Sequence, residues 1–337
     1  MVANVFVSTF PFCRSDKQAV DHLLSNGHQV VINPLERKMK PNEVLEKAVN
    51  FDALIAGTED LTPLVEKSSK LKLISRVGVG LDSVPLDLCA KKGISVAYTP
   101  DAVSPAVSEL AVGLMVDLLR QVSFADREIR KGVWTRPYGN RLGGSSIGIL
   151  GFGRIGKRVA SHLIGFLPKE ILVCDIVDKS EEIEELQRLA DEVYILNSKL
   201  GKNWSKVIVK QIALSDLVQT SDIITIHVPL LEGTKNLFKL ELLNQMKSTA
   251  FLINTARGGI VNEDDLYQAL KSKRLAGAAL DVFDEEPYFG ALKEFENVIL
   301  TQHMGSCSND CRSDMEREAA EEVVRFFNGE SLVSRVI

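Results

Sequence analysis

The sequence contains no apolar run close to the ~20 residues that a membrane-spanning helix needs. Its N-terminus, Met-Val-Ala-Asn-Val-Phe-Val-Ser, has neither the charged start nor the long apolar centre of a signal peptide. A cytoplasmic chain is therefore expected. There is no excess of positive charge: 40 Lys and Arg stand against 45 Asp and Glu, a net charge of −5. That excludes a broad basic face for nucleic acid or an anionic membrane, though not a small arginine cluster. Cysteines are few and odd in number, at 13, 89, 174, 307 and 311, with no CxxC pair. This predicts reduced thiols and no disulfide framework. The five histidines are dispersed, with no HExxH and no clustered Cys/His spacing, so no metal site is expected. Internal repeats and low-complexity tracts are also missing.

What is present is an ordinary globular composition, 45% hydrophobic and 25% charged, over 337 residues. That length suggests two domains. Short apolar runs alternate with helix-length amphipathic segments. Val5–Ser8, His28–Asn33, Ala53–Ala56, Lys72–Val77 and Ile94–Tyr98 read as strands in roughly the first hundred residues. Ser146–Leu150, Ile171–Asp175, Ile223–Val228, Ala250–Asn254, Gly277–Val282 and Val298–Thr301 form a second series. Strict alternation of strand and helix predicts an α/β chain with parallel sheets. Between the series, Thr99–Pro105 reads as a linker, and Ala106–Leu119 as a buried helix apolar on most faces. The charged stretch Val177–Lys206 is helix-prone around Glu181–Ala190 and carries no recognisable chemistry.

The segment Ser146-Ile-Gly-Ile-Leu-Gly151-Phe-Gly153-Arg154-Ile155-Gly156 runs from strand through GxGxxG into helix. In that context each glycine has a purpose. Gly151 permits the tight turn, Gly153 lets backbone approach a pyrophosphate, and Gly156 lets the helix pack on the sheet. The pyrophosphate would meet free N–H groups at the positive helix end. Asp175 ends the next strand about 20 residues further on, where a carboxylate accepts hydrogen bonds from ribose hydroxyls and repels a 2′-phosphate. NAD is therefore expected in preference to NADP.

Three later strand ends carry polar residues that a core would not choose. Arg257 precedes Gly258-Gly259, Glu286 precedes Pro287, and His303 precedes Met304-Gly305. Ligands of open α/β sheets bind outside the carboxyl ends of strands. A cation, an acid and an imidazole there suit hydride transfer to a 2-keto acid. Arginine grips a carboxylate as a planar fork. Histidine exchanges the alcohol proton near neutral pH. A carboxylate behind an imidazole fixes its orientation and favours its protonated form.

These residues carry a resemblance to the D-isomer-specific 2-hydroxyacid dehydrogenases, and within them to the phosphoglycerate branch. It spans nearly the whole chain. It rests on Arg76-Val-Gly78-Val-Gly80-Leu-Asp82, Thr99-Pro100, the GxGxxG turn, Asn254-Thr-Ala-Arg257-Gly-Gly, Ala279-Leu-Asp281-Val-Phe with Glu286-Pro287, and His303-Met-Gly305. The resemblance implies that Arg257, Glu286 and His303 are catalytic, with His303 the acid/base. It implies cofactor contacts from Val79, Gly151, Gly153, Arg154, Ile155, Gly156, Asp175, Val228, Thr255, Ala256, Asp281, Gly305 and Ser306, with Asp281 near the carboxamide. It assigns Arg76, Val77, Gly78 and Val79 to the substrate, with backbone N–H groups of Val77 to Val79 cradling its carboxylate.

The implied architecture is a Rossmann NAD domain, residues 103–306, inserted into a flavodoxin-like substrate domain made of 1–102 and 307–337. A homodimer joined through the NAD domains is implied too. The chain after His303 predicts a helix from Asp314 to Phe327 and no appended regulatory domain.

One departure bears on the substrate. Phosphoglycerate enzymes typically carry an arginine after the strand matching Ala53–Ala56, where this chain reads Gly57-Thr58-Glu59. Arg136 and Arg141 are candidate replacements. The reaction expected is interconversion of a D-2-hydroxy acid and its keto acid, with 3-phosphoglycerate one candidate. A glyoxylate or hydroxypyruvate reductase is the enzymatic rival. An NAD(H)-responsive scaffold or corepressor on the same fold is the rival from another class. His227, ending a strand in His-Val-Pro, reads as a lining residue with no proton-transfer partner.

Overall fold

Continuous runs of Val, Ile and Leu are stable as strands when both faces of the sheet are covered. The computed structural model, which describes residues 1–199 and 205–337, answers that demand with two parallel sheets. The first holds β1 (Asn4–Val7), β2 (Gln29–Ile32), β3 (Ala53–Ala56), β4 (Leu73–Arg76) and β5 (Ser95–Tyr98), in the order β2-β1-β3-β4-β5. The second holds β6 (Ser146–Leu150), β7 (Glu170–Cys174), β8 (Ile208–Gln211), β9 (Ile223–Ile226), β10 (Phe251–Asn254), β11 (Gly277–Leu280) and β12 (Val298–Leu300). Its order is β12-β11-β10-β9-β6-β7-β8. Read from the other edge, this is the doubly wound dinucleotide order with one strand added. Each parallel connection is made through helices, as a crossover requires.

The chain forms two compact units, Met1–Ser104 with Ser306–Ile337, and Pro105–Gly305. In the first, Phe6, Leu54, Ile74 and Val96 are buried under helices such as Pro41–Ala48. Full burial of such side chains contributes about 1.5–3 kcal/mol each. The helix Asn309–Asn328 buries Met315, Ala319 and Val323. Ser75 Oγ donates to its Ala319 carbonyl at 2.9 Å. Val336 then donates to the Val96 carbonyl. The end of the chain thus completes the first unit. In the second, Ile147, Ile149, Val159, Leu163 and Ile171 pack with Ala111 and Met115 of helix Val103–Arg120.

The structure shifts some boundaries. The long apolar helix starts at Val103, so Ser104 and Pro105 lie in its first turn. Proline is tolerated there because its missing N–H has no intrahelical partner to lose. The last helix spans Asn309–Asn328, beyond the expected Asp314–Phe327, and stops at Gly329 with φ 78°. Strand β8 was not expected. It is an edge strand, buried only at alternate residues, so it lacks the continuous apolar run of its neighbours. The charged stretch before it folds as helix Ser180–Lys199, while 200–204 lie outside the described residues. Among the described residues no helix is long and apolar enough to cross a membrane.

Candidate active site

The strand order of the second sheet reverses between β6 and β9, and the glycine-rich turn sits at the carboxyl end of β6. Gly151 has φ 92°, a conformation that favours glycine. A Cβ on Gly156 would stand 2.1 Å from the Gly151 carbonyl oxygen, so only glycine lets helix Arg154–Ile164 close against the strand. A Cβ on Gly153 would meet open space, as expected where the ligand supplies the neighbour. Arg154 and Ile155 begin the helix beside it. Asp175 accepts hydrogen bonds from the Phe152 N–H at 2.7 Å and the Val177 N–H at 3.0 Å. Its carboxylate is therefore anchored beside the turn.

Parallel register carries the rest of the site across the sheet. Ile226 faces Asn254, and Asn254 faces Leu280. One residue further along, His227, Thr255 and Asp281 stand side by side. Two of them carry buried polar atoms with no partner among the described residues, His227 Nδ1 and Thr255 Oγ1. Burial pushes the His227 imidazole down to about 3, so it stays neutral. Its Nε2 lies 2.9 Å from Thr225 Oγ1. Buried polar groups are normally satisfied. Two orphans beside a dinucleotide-type turn therefore fit a polar ligand at that edge.

Asp281 is 1% exposed. Its Oδ1 accepts from Thr301 Oγ1 at 2.6 Å and from the Met304 N–H at 2.8 Å. Its Oδ2 accepts from the Gly305 N–H at 2.8 Å, and its carbonyl accepts from the His303 N–H at 2.8 Å. One buried carboxylate thus shapes the loop that presents His303, whose φ of 51° lies in the left-handed region. Glu286 closes on the ring. His303 Nδ1 is 2.9 and 3.0 Å from its two carboxylate oxygens. Both side chains are partly open to solvent.

Arg257 follows β10. Asn254 shapes its loop by donating Nδ2 to the Arg257 carbonyl at 2.8 Å and accepting the Ala256 N–H at 3.1 Å. A Cβ on Gly258 would strike the Phe283 carbonyl at 2.0 Å, which ties this loop to the one that carries Glu286. Val228 and Ser306 are partly buried and Gly305 is buried.

In the first unit, the loop after β4 differs from expectation. Arg76 is 8% exposed, and its Nε donates to the Gly80 carbonyl at 2.9 Å. A Cβ on Gly78, which has φ 127°, would lie 2.2 Å from an Arg76 guanidinium nitrogen. Arg76 therefore lies beneath the loop and supports it. The Val77 N–H pairs with the Ala56 carbonyl at 2.9 Å and the Gly78 N–H with Thr99 Oγ1 at 2.7 Å. Of the three N–H groups expected to cradle a carboxylate, that of Val79 alone has no protein acceptor among the described residues.

Arg136 and Arg141 are exposed in a segment without helix or strand. Its Asn140 N–H bonds the Leu119 carbonyl, and residues 138–140 line a cavity of about 400 Å³ with Phe251, Ala276 and Asn297. Those three mark the amino ends of β10, β11 and β12, opposite to His303. Within the second unit, neither arginine is placed to replace a phosphate-binding residue at the carboxyl edge. Among the described residues no three His, Cys, Asp or Glu gather as a metal site.

Sequence reasoning missed Thr99, Asn254 and Thr301, the polar residues that shape the three loops. Asn254 alone gave a signal, since an asparagine ending an apolar strand readily closes a turn through its side chain onto the N–H two residues on.

Residues 112–305 match the family model described as D-isomer specific 2-hydroxyacid dehydrogenase, NAD binding domain. The chain belongs to this family. It is 34% identical to a glyoxylate reductase of Thermofilum pendens over 86% of this chain and 82% of the other. It is 33% identical to a D-3-phosphoglycerate dehydrogenase of Methanocaldococcus jannaschii over 86% of this chain, which spans about half, 52%, of that protein. A crystal structure of an NAD-dependent formate dehydrogenase from Staphylococcus aureus, in complex with NAD, superposes with a TM-score of 0.80 at 26% identity. That match covers 100% of this chain and 99% of the other. The fold is that of a D-2-hydroxyacid dehydrogenase, and NAD is the cofactor its matched domain takes.

Proposed function

We propose that the chain interconverts a D-2-hydroxy acid and its 2-keto acid, with His303 exchanging the alcohol proton. The observation that carries this reading is the His303–Glu286 contact at 2.9 and 3.0 Å, held at the strand ends of an NAD-binding unit. Nδ1 is turned to Glu286, so Nε2 is the nitrogen assigned to the substrate. Glu286 orients the ring and balances its charge when protonated. Arg257 binds the substrate carboxylate and polarises the ketone. In the first unit the Val79 N–H, on a loop supported from below by Arg76, is a donor suited to a small carboxylate.

The Gly151–Gly156 turn, with Arg154 and Ile155, would hold the pyrophosphate of NAD, and Asp175 its adenine ribose. Thr255, Ala256, Val228, Asp281, Gly305 and Ser306 would line the nicotinamide half. When bound, NAD supplies or accepts the hydride at C2 of the acid.

A scaffold has no need of a carboxylate aimed at an imidazole. An NADH-oxidation panel with 3-phosphohydroxypyruvate, hydroxypyruvate, glyoxylate and pyruvate tests the reading. Turnover of at least one is expected. NADH binding with no turnover of any would favour the scaffold.

The same reading makes the chain a cytoplasmic homodimer joined through the NAD-binding units. Helix Val122–Arg130 has no buried residue, and Val122 and Ile129 on it are exposed. Trp134 and Tyr138 just beyond are also exposed. Such apolar surface is more common at an interface than on a monomer. Light scattering should give the dimer mass. Replacing Trp134 and Tyr138 together by Ala should shift the mass toward the monomer.

A further inference from the structure

We infer that Glu59 sets the substrate class, restricting the enzyme to short 2-keto acids whose third carbon bears no phosphate or other anion. This rests on the proposed function and deepens it. The first sheet reverses direction between β1 and β3, the place where an open α/β sheet offers a crevice for a ligand. Here the crevice is closed. Ser8 and Thr9 follow β1, Gly57 and Glu59 follow β3, and Ser8, Thr9 and Glu59 are each less than 5% exposed. Ser8 Oγ donates to Glu59 Oε1, which also accepts the Gly57 N–H at 3.0 Å. A Cβ on Gly57 would lie 2.7 Å from Glu59 Oε2 and 3.0 Å from Thr9 Oγ1. The two loops are thus packed against one another around the acid.

Charge adds to shape. Among the described residues Glu59 makes no ion pair. The cation beside Thr9 is Arg312, whose Nη2 donates to Thr9 Oγ1 at 3.1 Å and to the Pro11 carbonyl. That cation is already matched by Glu316, at 2.7 Å from its Nε. Glu59 is therefore a buried carboxylate with two hydrogen bonds and no counter-charge. Burying such a charge is unfavourable. A glutamine would accept the same two hydrogen bonds without it, so holding the loops together does not explain the acid.

The neighbouring strand end does. Val77 pairs with Ala56, which places the loop carrying the Val79 N–H directly beside the one carrying Glu59. A substrate whose carboxylate sits on that loop extends its third carbon toward a fixed negative charge. A hydrogen atom or a hydroxyl is accepted there, and a phosphate dianion is repelled.

The test compares kcat/KM of the wild type and Glu59→Gln, as full-length enzymes with NADH, on glyoxylate, hydroxypyruvate and 3-phosphohydroxypyruvate. Wild type should favour the two unphosphorylated acids. Glu59→Gln should raise relative use of the phosphorylated acid at least about tenfold and leave glyoxylate within about twofold. A wild type that prefers the phosphorylated acid, or an unchanged ratio in Glu59→Gln, would overturn the inference. Thermal melting and NADH titration confirm that the variant is folded. A folded wild type that reduces neither these three acids nor pyruvate would instead defeat the proposed function. A second variant, Ser8→Ala, removes one hydrogen bond and keeps the charge. It should leave the substrate ratio unchanged, and a shift as large as that of Glu59→Gln would assign the effect to loop packing and overturn the role of charge.

Discussion

Open α/β sheets take ligands at the carboxyl ends of their strands, and the two sheets furnish those ends in opposite ways. The second sheet presents side chains. Arg257, Glu286 and His303 stand on loops after β10, β11 and β12, and Asn254, Asp281 and Thr301 hold those loops in shape. At two of its strand ends the first sheet buries a charged side chain. Arg76 lies under its loop and Glu59 is buried, while the Val79 N–H has no protein acceptor among the described residues. The difference separates two tasks. Proton exchange needs a titratable group with a fixed partner, which a side chain supplies. Holding and selecting a small anion needs donors in fixed places and a field, which backbone and a buried charge supply.

The comparison is most easily broken at His303. His303→Ala should lower kcat by about 10²–10⁴-fold and leave NADH affinity within about twofold. Stopped-flow turnover and fluorescence titration check both. Near-full activity would remove the side-chain task from the second sheet.

Asp281→Asn should follow. The variant turns an amide N–H toward the Gly305 N–H, and leaving a buried donor unsatisfied costs about 1–3 kcal/mol. Thermal melting should show the loss. The pH profile of kcat should also change, because the His303 loop is misplaced. A melting change without any change in the pH profile would make Asp281 a stability residue alone.

Asp175→Ala has a smaller expected effect. Losing a charged hydrogen-bond acceptor should weaken NAD relative to NADP by on the order of tenfold. An unchanged ratio of the two kcat/KM values would remove Asp175 from the ribose.

A further effect concerns pH. Because burial holds His227 well below the ordinary histidine value, protonation opposes folding. Stability is complete above about pH 6.5 and falls as the pH drops from there toward 3. His227→Gln should flatten the acid side of the melting curve. An unaltered slope would show that the imidazole is not held neutral by the fold.

Much of this was legible in the sequence, and the reason lies in particular residues. Arg257, Glu286 and His303 each lie on the loop that follows an apolar strand at its carboxyl end, where open α/β sheets take their ligands. The glycines at 151, 153 and 156 were legible because each meets a different steric demand. Arg76 was misleading. An arginine at a strand end looks available for an anion, and only the fold of the following loop back over it shows its Nε bonded to the Gly80 carbonyl. The N–H groups of Val77 and Gly78 were equally opaque, because strand pairing and Thr99 decide where they point. Glu59 was visible as an acid in the wrong place for a phosphate. Its burial and lack of a counter-charge depend on Ser8, Thr9 and Arg312, which are distant in sequence.

The reaction itself is tested most directly by its stereochemistry. The enzyme with NAD is offered D-glycerate and L-glycerate separately, and NADH formation is followed. D-glycerate should yield NADH and L-glycerate none. Equal oxidation of the two, or oxidation of the L form alone, would contradict a D-2-hydroxy acid dehydrogenase acting through His303.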